Sequence, residues 1–241
     1  MLPCACKQVN RTAGFDAEPS LRLRARRNTR TTFVNATVQI RSITEEPMEL
    51  ILIRHALPER QHVASGAADP PLSGLGLEQA ARVADWLSAE SIDVVYSSPM
   101  QRAKETAMAY THRSGHSIQF HEGIVEFDRH TSSYVPMEEL KRTDYPAWKA
   151  FVDGRYNEEV DILAFQDTVV RTLESIIAQH QGQRVAVFCH GGVINVWAAH
   201  VLRMVPRLFF EPVYTSIHRF LCARSGERNV VSLNETAHLR G

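Results

Sequence analysis

From residue 48 onward the chain alternates short apolar runs with longer amphipathic stretches. Glu49-Leu50-Ile51-Leu52-Ile53 is a nearly unbroken β-type run, as a parallel strand buried on both faces requires. A loop punctuated by Pro58, Gly66, Pro70 and Pro71 follows. Ser73-Gly74-Leu75-Gly76-Leu77-Glu78 then opens a helix whose inward face is expected to carry Leu77, Ala80, Ala84 and Leu87. Ile92–Tyr96 reads as the next strand, and Pro99 as the first-turn residue of a helix reaching about Tyr110. Further on, the pattern predicts a helix over Phe165–His180, a strand over Arg184–Phe188 and a helix over Gly192–Leu202. Strands are expected at Ile217–Ala223 and Val230–Leu233. Such alternation predicts an α/β fold: a three-layer α/β/α sandwich with a mostly parallel central sheet and helices on both faces. The stretch between Tyr134 and Gly154, with Lys141, Arg142, Lys149, Trp148 and Phe151, is expected to form a small cap insertion near the pocket.

Residues 1–47 have a different character. They carry eight basic and four acidic side chains, whereas the whole chain has 27 of each, so residues 48–241 are acidic by four. The tail lacks helical periodicity, and Met48 directly precedes a self-sufficient strand. Residues 1–47 are therefore expected to be a dispensable extension, with Met48 as a candidate start, and residues 48–241 to be the working domain. An anion-binding arm, an Arg-rich targeting peptide and an extra strand over Thr32–Ile40 are the alternatives.

Composition narrows the classes. With 44% hydrophobic and 22% charged residues the chain is that of an ordinary globular protein. Its longest apolar runs, such as Val185–Cys189, fall far short of the ~18–20 residues that span a bilayer. The acidic balance of residues 48–241 disfavours nucleic-acid binding. Cys4 and Cys6 form a lone C-x-C, and Cys189 and Cys222 sit in apolar runs, so no disulfide framework is expected. With no secretory signal at the start, the expected compartment is the cytoplasm. The apolar Val205–Pro212 segment is either core or the interface of a homo-oligomer.

In open α/β sheets ligands sit beyond the carboxyl ends of the strands. Three strand ends here are rich in polar groups: Arg54-His55, Ser97-Ser98-Pro99-Met100-Gln101-Arg102, and His190-Gly191-Gly192. Two arginines and two histidines at one edge make a cationic pocket, and the guanidinium fork suits phosphate oxygens. Gly191 and Gly192 allow a tight turn whose N–H groups face an anion at a helix N-terminus.

These segments resemble the motifs of the histidine phosphatase superfamily, which includes the cofactor-dependent phosphoglycerate mutases. Leu52-Ile53-Arg54-His55-Ala56 is similar to its Arg-His-Gly signature. Asp69–Ala80 resembles its D-x-P-L-[TS]-x-x-G-x-x-Q-A segment, Tyr96–Thr106 its S-S-P-L-x-R-A-x-x-T segment, and Phe188–Gly192 its second-histidine motif. All four occur in family order, and the resemblance covers essentially everything after the tail. Ala56 departs from the usual glycine, and Leu57-Pro58 stands where many members have an acidic residue and a threonine. Alanine is tolerable there if the local φ is negative.

The resemblance implies hydrolysis of phosphate monoesters of small metabolites through a phosphohistidine on His55, without a metal or other cofactor. Arg54, Arg102 and His190 surround the phosphoryl oxygens, with His190 expected as a protonated donor and Gly191 supplying a backbone N–H. Glu126, in Gly123-Ile124-Val125-Glu126-Phe127, is the expected general acid, with Glu122 and Asp128 as rivals. Ser73 is a candidate phosphate contact or else a helix cap. Mutase-type phosphoryl transfer is the alternative, although Glu126–Tyr134 lacks the mutase Glu-Arg-x-Tyr-Gly pattern. A non-catalytic phospho-ligand-binding module is a third reading, disfavoured by retention of all five of Arg54, His55, Arg102, Glu126 and His190.

Overall fold

A computed structural model describes residues 46–153 and 160–240. The expectations for the N-terminal extension, including Cys4 and Cys6, lie outside these residues. In chain order the elements are β1 (Met48–Arg54), β2 (Gln61–His62), α1 (Gly74–Leu87), β3 (Val94–Ser97), α2 (Gln101–Ser114), β4 (Ile118–Phe120) and β5 (Ser133–Tyr134). Then come α3 (Met137–Thr143), α4 (Tyr145–Val152), α5 (Ile162–Gln179), β6 (Arg184–Cys189), α6 (Gly191–Val201), β7 (Ile217–Cys222) and β8 (Arg228–Glu235).

Six strands form one sheet in the order β4-β3-β6-β1-β7-β8. β4, β3, β6 and β1 run parallel, while β7 and β8 are antiparallel additions at one side. The period-2 alternation of β1 divides its side chains between two cores. Leu50 and Leu52 face a cluster with Val187, Leu173, Ile176 and Trp197, under α5 and α6. Ile51 and Ile53 face Val83, Leu87, Ala107 and Tyr110, under α1 and α2. Cys189 and Cys222 are buried free thiols. Among the described residues no helix is long and apolar enough to cross a membrane.

Two details differ from the sequence pattern. Leu77 is 58% exposed, because the first turn of α1 meets the 56–58 loop through Gly76. A β-carbon on Gly76 would overlap the Leu57 carbonyl, so the helix can seat only there. Pro99 precedes α2 instead of opening it: Met100 is the N-cap and has no capping side chain. The missing cap comes from elsewhere in the chain, as Asp69 Oδ1 accepts the Gln101 N–H at 2.9 Å.

Asp69, Gln79, Glu105 and Thr106 all belong to the motif segments, and all satisfy backbone donors that irregular chain leaves open. Thr106 Oγ1 accepts from Ala56 N at 3.0 Å, Gln79 Oε1 from Leu57 N at 3.0 Å, and Glu105 Oε2 from Leu72 N at 2.7 Å. They stitch the loop after β1 to α1 and α2.

The insertion between Tyr134 and Gly154 contains α3 and α4, and the two-residue strands β2 and β5 pair at its base. Trp148 and Lys141 reach the pocket, as expected for a cap, while the Phe151 side chain lies outside the described residues.

Candidate active site

The parallel register carries the three polar strand ends to one edge. β6 lies between β1 and β3, with Arg54 opposite Cys189 and Ser97 opposite Phe188. Two bonds extend the ladders past the strands: His55 N donates to Cys189 O at 2.9 Å, and Ser98 N to Phe188 O at 2.9 Å. His190 is thereby held between His55 and Ser98, its ring centroid 5.1 Å from that of His55.

Above this edge is a cavity of about 690 Å³. Arg54, His55, Arg102, Glu126 and Gly191 all line it, and His190 is buried beneath. The arginines are fixed by aromatic platforms. Arg54 lies 3.9 Å from the Tyr214 ring centroid and donates through Nη1 to Pro212 O. Arg102 lies 4.7 Å from that of Tyr134 and pairs with Asp128 at 2.9 Å. Nevertheless Arg54 Nε and Arg102 Nε and Nη1 are buried without a partner. By contrast, around Glu49 the arginines Arg184 and Arg219 are fully engaged by Glu49, Glu90 and Glu235. Buried N–H groups without acceptors are costly, and a phosphoryl group is the anion whose oxygens answer two guanidinium edges.

His55 Nδ1 is 2.8 Å from the Ala56 carbonyl, which can only accept, so Nδ1 carries the proton and Nε2 keeps its lone pair. Burial, then Arg102 and Arg54, hold the His55 pKa well below the usual histidine value, so the ring is neutral through the physiological range. Ala56 has no positive φ, which explains why alanine serves in place of glycine; it packs with Leu72 and Ala80.

His190 departs from the expectation of a charged donor. Burial, Arg102, His55 and Arg54 keep its pKa well below the usual value too, so its ring is neutral. It can still donate. Ser98 Oγ sits 2.8 Å from His190 Nε2 and accepts the Met100 N–H at 3.3 Å; a hydroxyl both donates and accepts, so this contact serves a ring protonated on either nitrogen. His190 Nδ1 is buried without a partner, so a proton carried there is free to meet an anion. Ser98→Ala is expected to change which ring nitrogen of His190 carries the proton, visible in the ¹⁵N NMR shifts of its ring, and to lower kcat by about 10- to 100-fold. An unchanged tautomer with unchanged kcat counts against this role for Ser98.

Glu126 is buried after a short 3₁₀ turn, its carboxylate against the start of α6. Gly192 N donates to Oε2 at 2.8 Å and Phe127 N to Oε1 at 3.2 Å. A β-carbon on Gly192 would overlap this carboxylate, so the second glycine of the motif makes room for the acid and gives its N–H to it, not to a ligand. Gly191 has the first-turn N–H that the helix itself cannot satisfy, and a β-carbon there would stand 3.6 Å from Arg54 Nε. Burial and the nearby Asp128 push the Glu126 pKa up to about 7. The rivals are otherwise occupied: Glu122 pairs with Arg129 at 3.0 Å on the surface, and Asp128 with Arg102.

Ser73 does not reach the pocket. Its Oγ accepts the Gly76 N–H at 3.1 Å and donates to Leu57 O at 3.0 Å, the work of a helix cap. Ser98, Tyr134 and Tyr214 are the site residues that sequence reasoning missed. Ser98 lay within a quoted motif, but nothing in the linear order ties it to His190, 92 positions away.

Comparison with known proteins agrees with this geometry. The family described as histidine phosphatase superfamily (branch 1) matches residues 50–236. The chain belongs to that superfamily. Among its relatives, phosphoserine phosphatase 1 of Hydrogenobacter thermophilus is 28% identical over 80% of this chain and 94% of its own length. A metal-independent phosphoserine phosphatase of Arabidopsis thaliana is 30% identical over 64% and 68%. A solved mutant phosphoserine phosphatase from Entamoeba histolytica, in complex with phosphoserine, superposes with a TM-score of 0.64 at 26% identity, covering 80% of this chain and 99% of that one.

Proposed function

We propose that this superfamily member is a metal-independent phosphatase that hydrolyses phosphate monoesters of small metabolites through a covalent phosphohistidine on His55. The observation that carries the reading is the pairing, in one cavity, of an imidazole with a free Nε2 lone pair and a carboxyl that titrates near 7, over two incompletely paired guanidinium groups.

In the first step His55 Nε2 attacks phosphorus, the bond from phosphorus to the alcohol oxygen breaks, and protonated Glu126 gives its proton to that oxygen. In the second, water attacks the phosphohistidine, the P–N bond breaks, and the Glu126 carboxylate takes the water proton. Arg54, Arg102 and the His190 Nδ1–H hold the equatorial oxygens in both steps. Gly191 adds a backbone donor. As the phosphoryl group arrives, its negative charge offsets the guanidinium fields, so His190 gains proton affinity when the oxygens it faces are most charged. Cytoplasmic placement agrees with the free thiols of Cys189 and Cys222.

The test sets phosphate release from an aryl phosphate against phosphoglycerate isomerisation primed by a bisphosphate. Phosphate release with acid-labile label on His55 is expected; isomerisation faster than release moves the assignment to a mutase. Binding of phosphate with neither activity moves it to a silent binding module.

A further inference from the structure

Beyond the phosphoryl-binding floor the cavity changes character. Phe127, Val135, Trp148, Leu208 and Phe210 line the same cavity as Glu126, and apolar surface outweighs the polar His130, Thr131, Ser133 and Glu211 there. A volume of about 690 Å³ has room for ~20 waters at their liquid volume. A phosphorylated three-carbon acid fills only a fraction of it.

This wall is built, not accidental. Asn195 Oδ1 accepts the backbone N–H groups of Phe209 and Phe210 at 2.8 and 3.2 Å, and its Nδ2 donates to Phe210 O at 3.0 Å. A buried amide on α6 therefore pins the segment that presents the Phe210 ring. Phe127 is held edge-on to Phe165, with centroids 5.7 Å apart. On the cap side, Lys141 Nζ lies 4.5 Å from the Trp148 ring centroid. Lys141 is the one cation of the lining, among the described residues, outside the arginine and histidine groups. A carboxylate beside the phosphate would lose water against this apolar wall and meet the like-charged carboxylates of Asp128 and Glu211 in the same lining.

We infer that the physiological leaving group is a bulky, largely apolar alcohol, aromatic or branched-aliphatic, and not a small charged one. This rests on the phosphatase reading above and deepens it. Apolar surface of the alcohol is removed from water as the ester seats, so kcat/KM rises with each carbon until the cavity is full.

The experiment measures kcat/KM of the full chain for n-alkyl phosphates from ethyl to octyl, below micelle formation, beside phosphoserine and 3-phosphoglycerate. The alkyl series shares nearly one leaving-group pKa, so its slope reports burial alone. The expected rise is about threefold to fourfold per methylene, with octyl phosphate well above both charged esters. Trp148→Ala, on the partly exposed cap, is expected to lower the octyl-to-ethyl ratio about tenfold; Leu208→Ala provides the same readout if the first variant fails to fold. A flat series, or the highest value for phosphoserine or 3-phosphoglycerate, overturns the proposal and leaves the phosphatase reading intact. No phosphate release from any ester overturns both.

Discussion

Replacing His55 with Ala is expected to lower phosphate release by ~10⁴-fold or more and to abolish acid-labile phosphate on the protein. The size follows from what the residue supplies. Its Nε2 lone pair is held in the same cavity as the two arginines by a backbone bond, through Nδ1 to Ala56 O. Alanine leaves Arg54 and Arg102 in place, so phosphate should still bind, and the loss should fall on kcat. His190 is no substitute, because Ser98 engages its Nε2 and the ring is buried beneath the cavity floor. Rapid-quench trapping with a labelled aryl phosphate checks both parts, and a variant that still turns over at the native rate removes the nucleophile from the scheme.

Glu126→Gln should produce the second largest effect, and a selective one. An alkoxide must be protonated as it departs, whereas a nitrophenolate leaves unaided. The expected loss is ~10²–10⁴-fold for alkyl phosphates and a few-fold at most for p-nitrophenyl phosphate; equal losses would rule out the acid role. The pH dependence has a defined sign. The acid works protonated, so native kcat/KM for alkyl esters falls as pH rises through about 7. The aryl ester lacks that limb, and so does the variant. Stability carries the same signature. A carboxyl whose pKa is raised on folding contributes fully below its unfolded value near 4.5, and that contribution is lost as pH rises to about 7. Relative to Glu126→Gln, the native protein should lose up to about 3 kcal/mol over this window, measured by urea titration at several pH values.

Much of the scaffold is visible in the order of residues. The runs at 49–53, 184–188 and 217–223 are strands within a residue or so, and the long helices fall where their periodicity places them. The exceptions share a cause. β4 is only three residues with Phe120 exposed, and α3 buries no side chain, so neither leaves a periodic trace. Leu77 and Pro99 mislead because Gly76 and Asp69 act through contacts with distant chain. At the site, Arg54, His55, Arg102, His190 and Gly191 could be named in advance, because such groups at the ends of apolar strands have no structural reason to be there, whereas Glu126 rests on the family resemblance. Ser73 could not be resolved, since an N-cap and a phosphate ligand call for the same hydroxyl before a helix.

The sequence alone determined the alternation of strands and helices and which chemical groups stand at the strand ends, since burial on a sheet or helix imposes its period on neighbouring residues. Tertiary structure alone decided the charge and tautomer of those groups. Desolvation of Glu126 and His190, the partnering of His190 by Ser98, and the apolar wall shared by the cap and the 208–212 segment are each sums over atoms that the chain brings together only when folded.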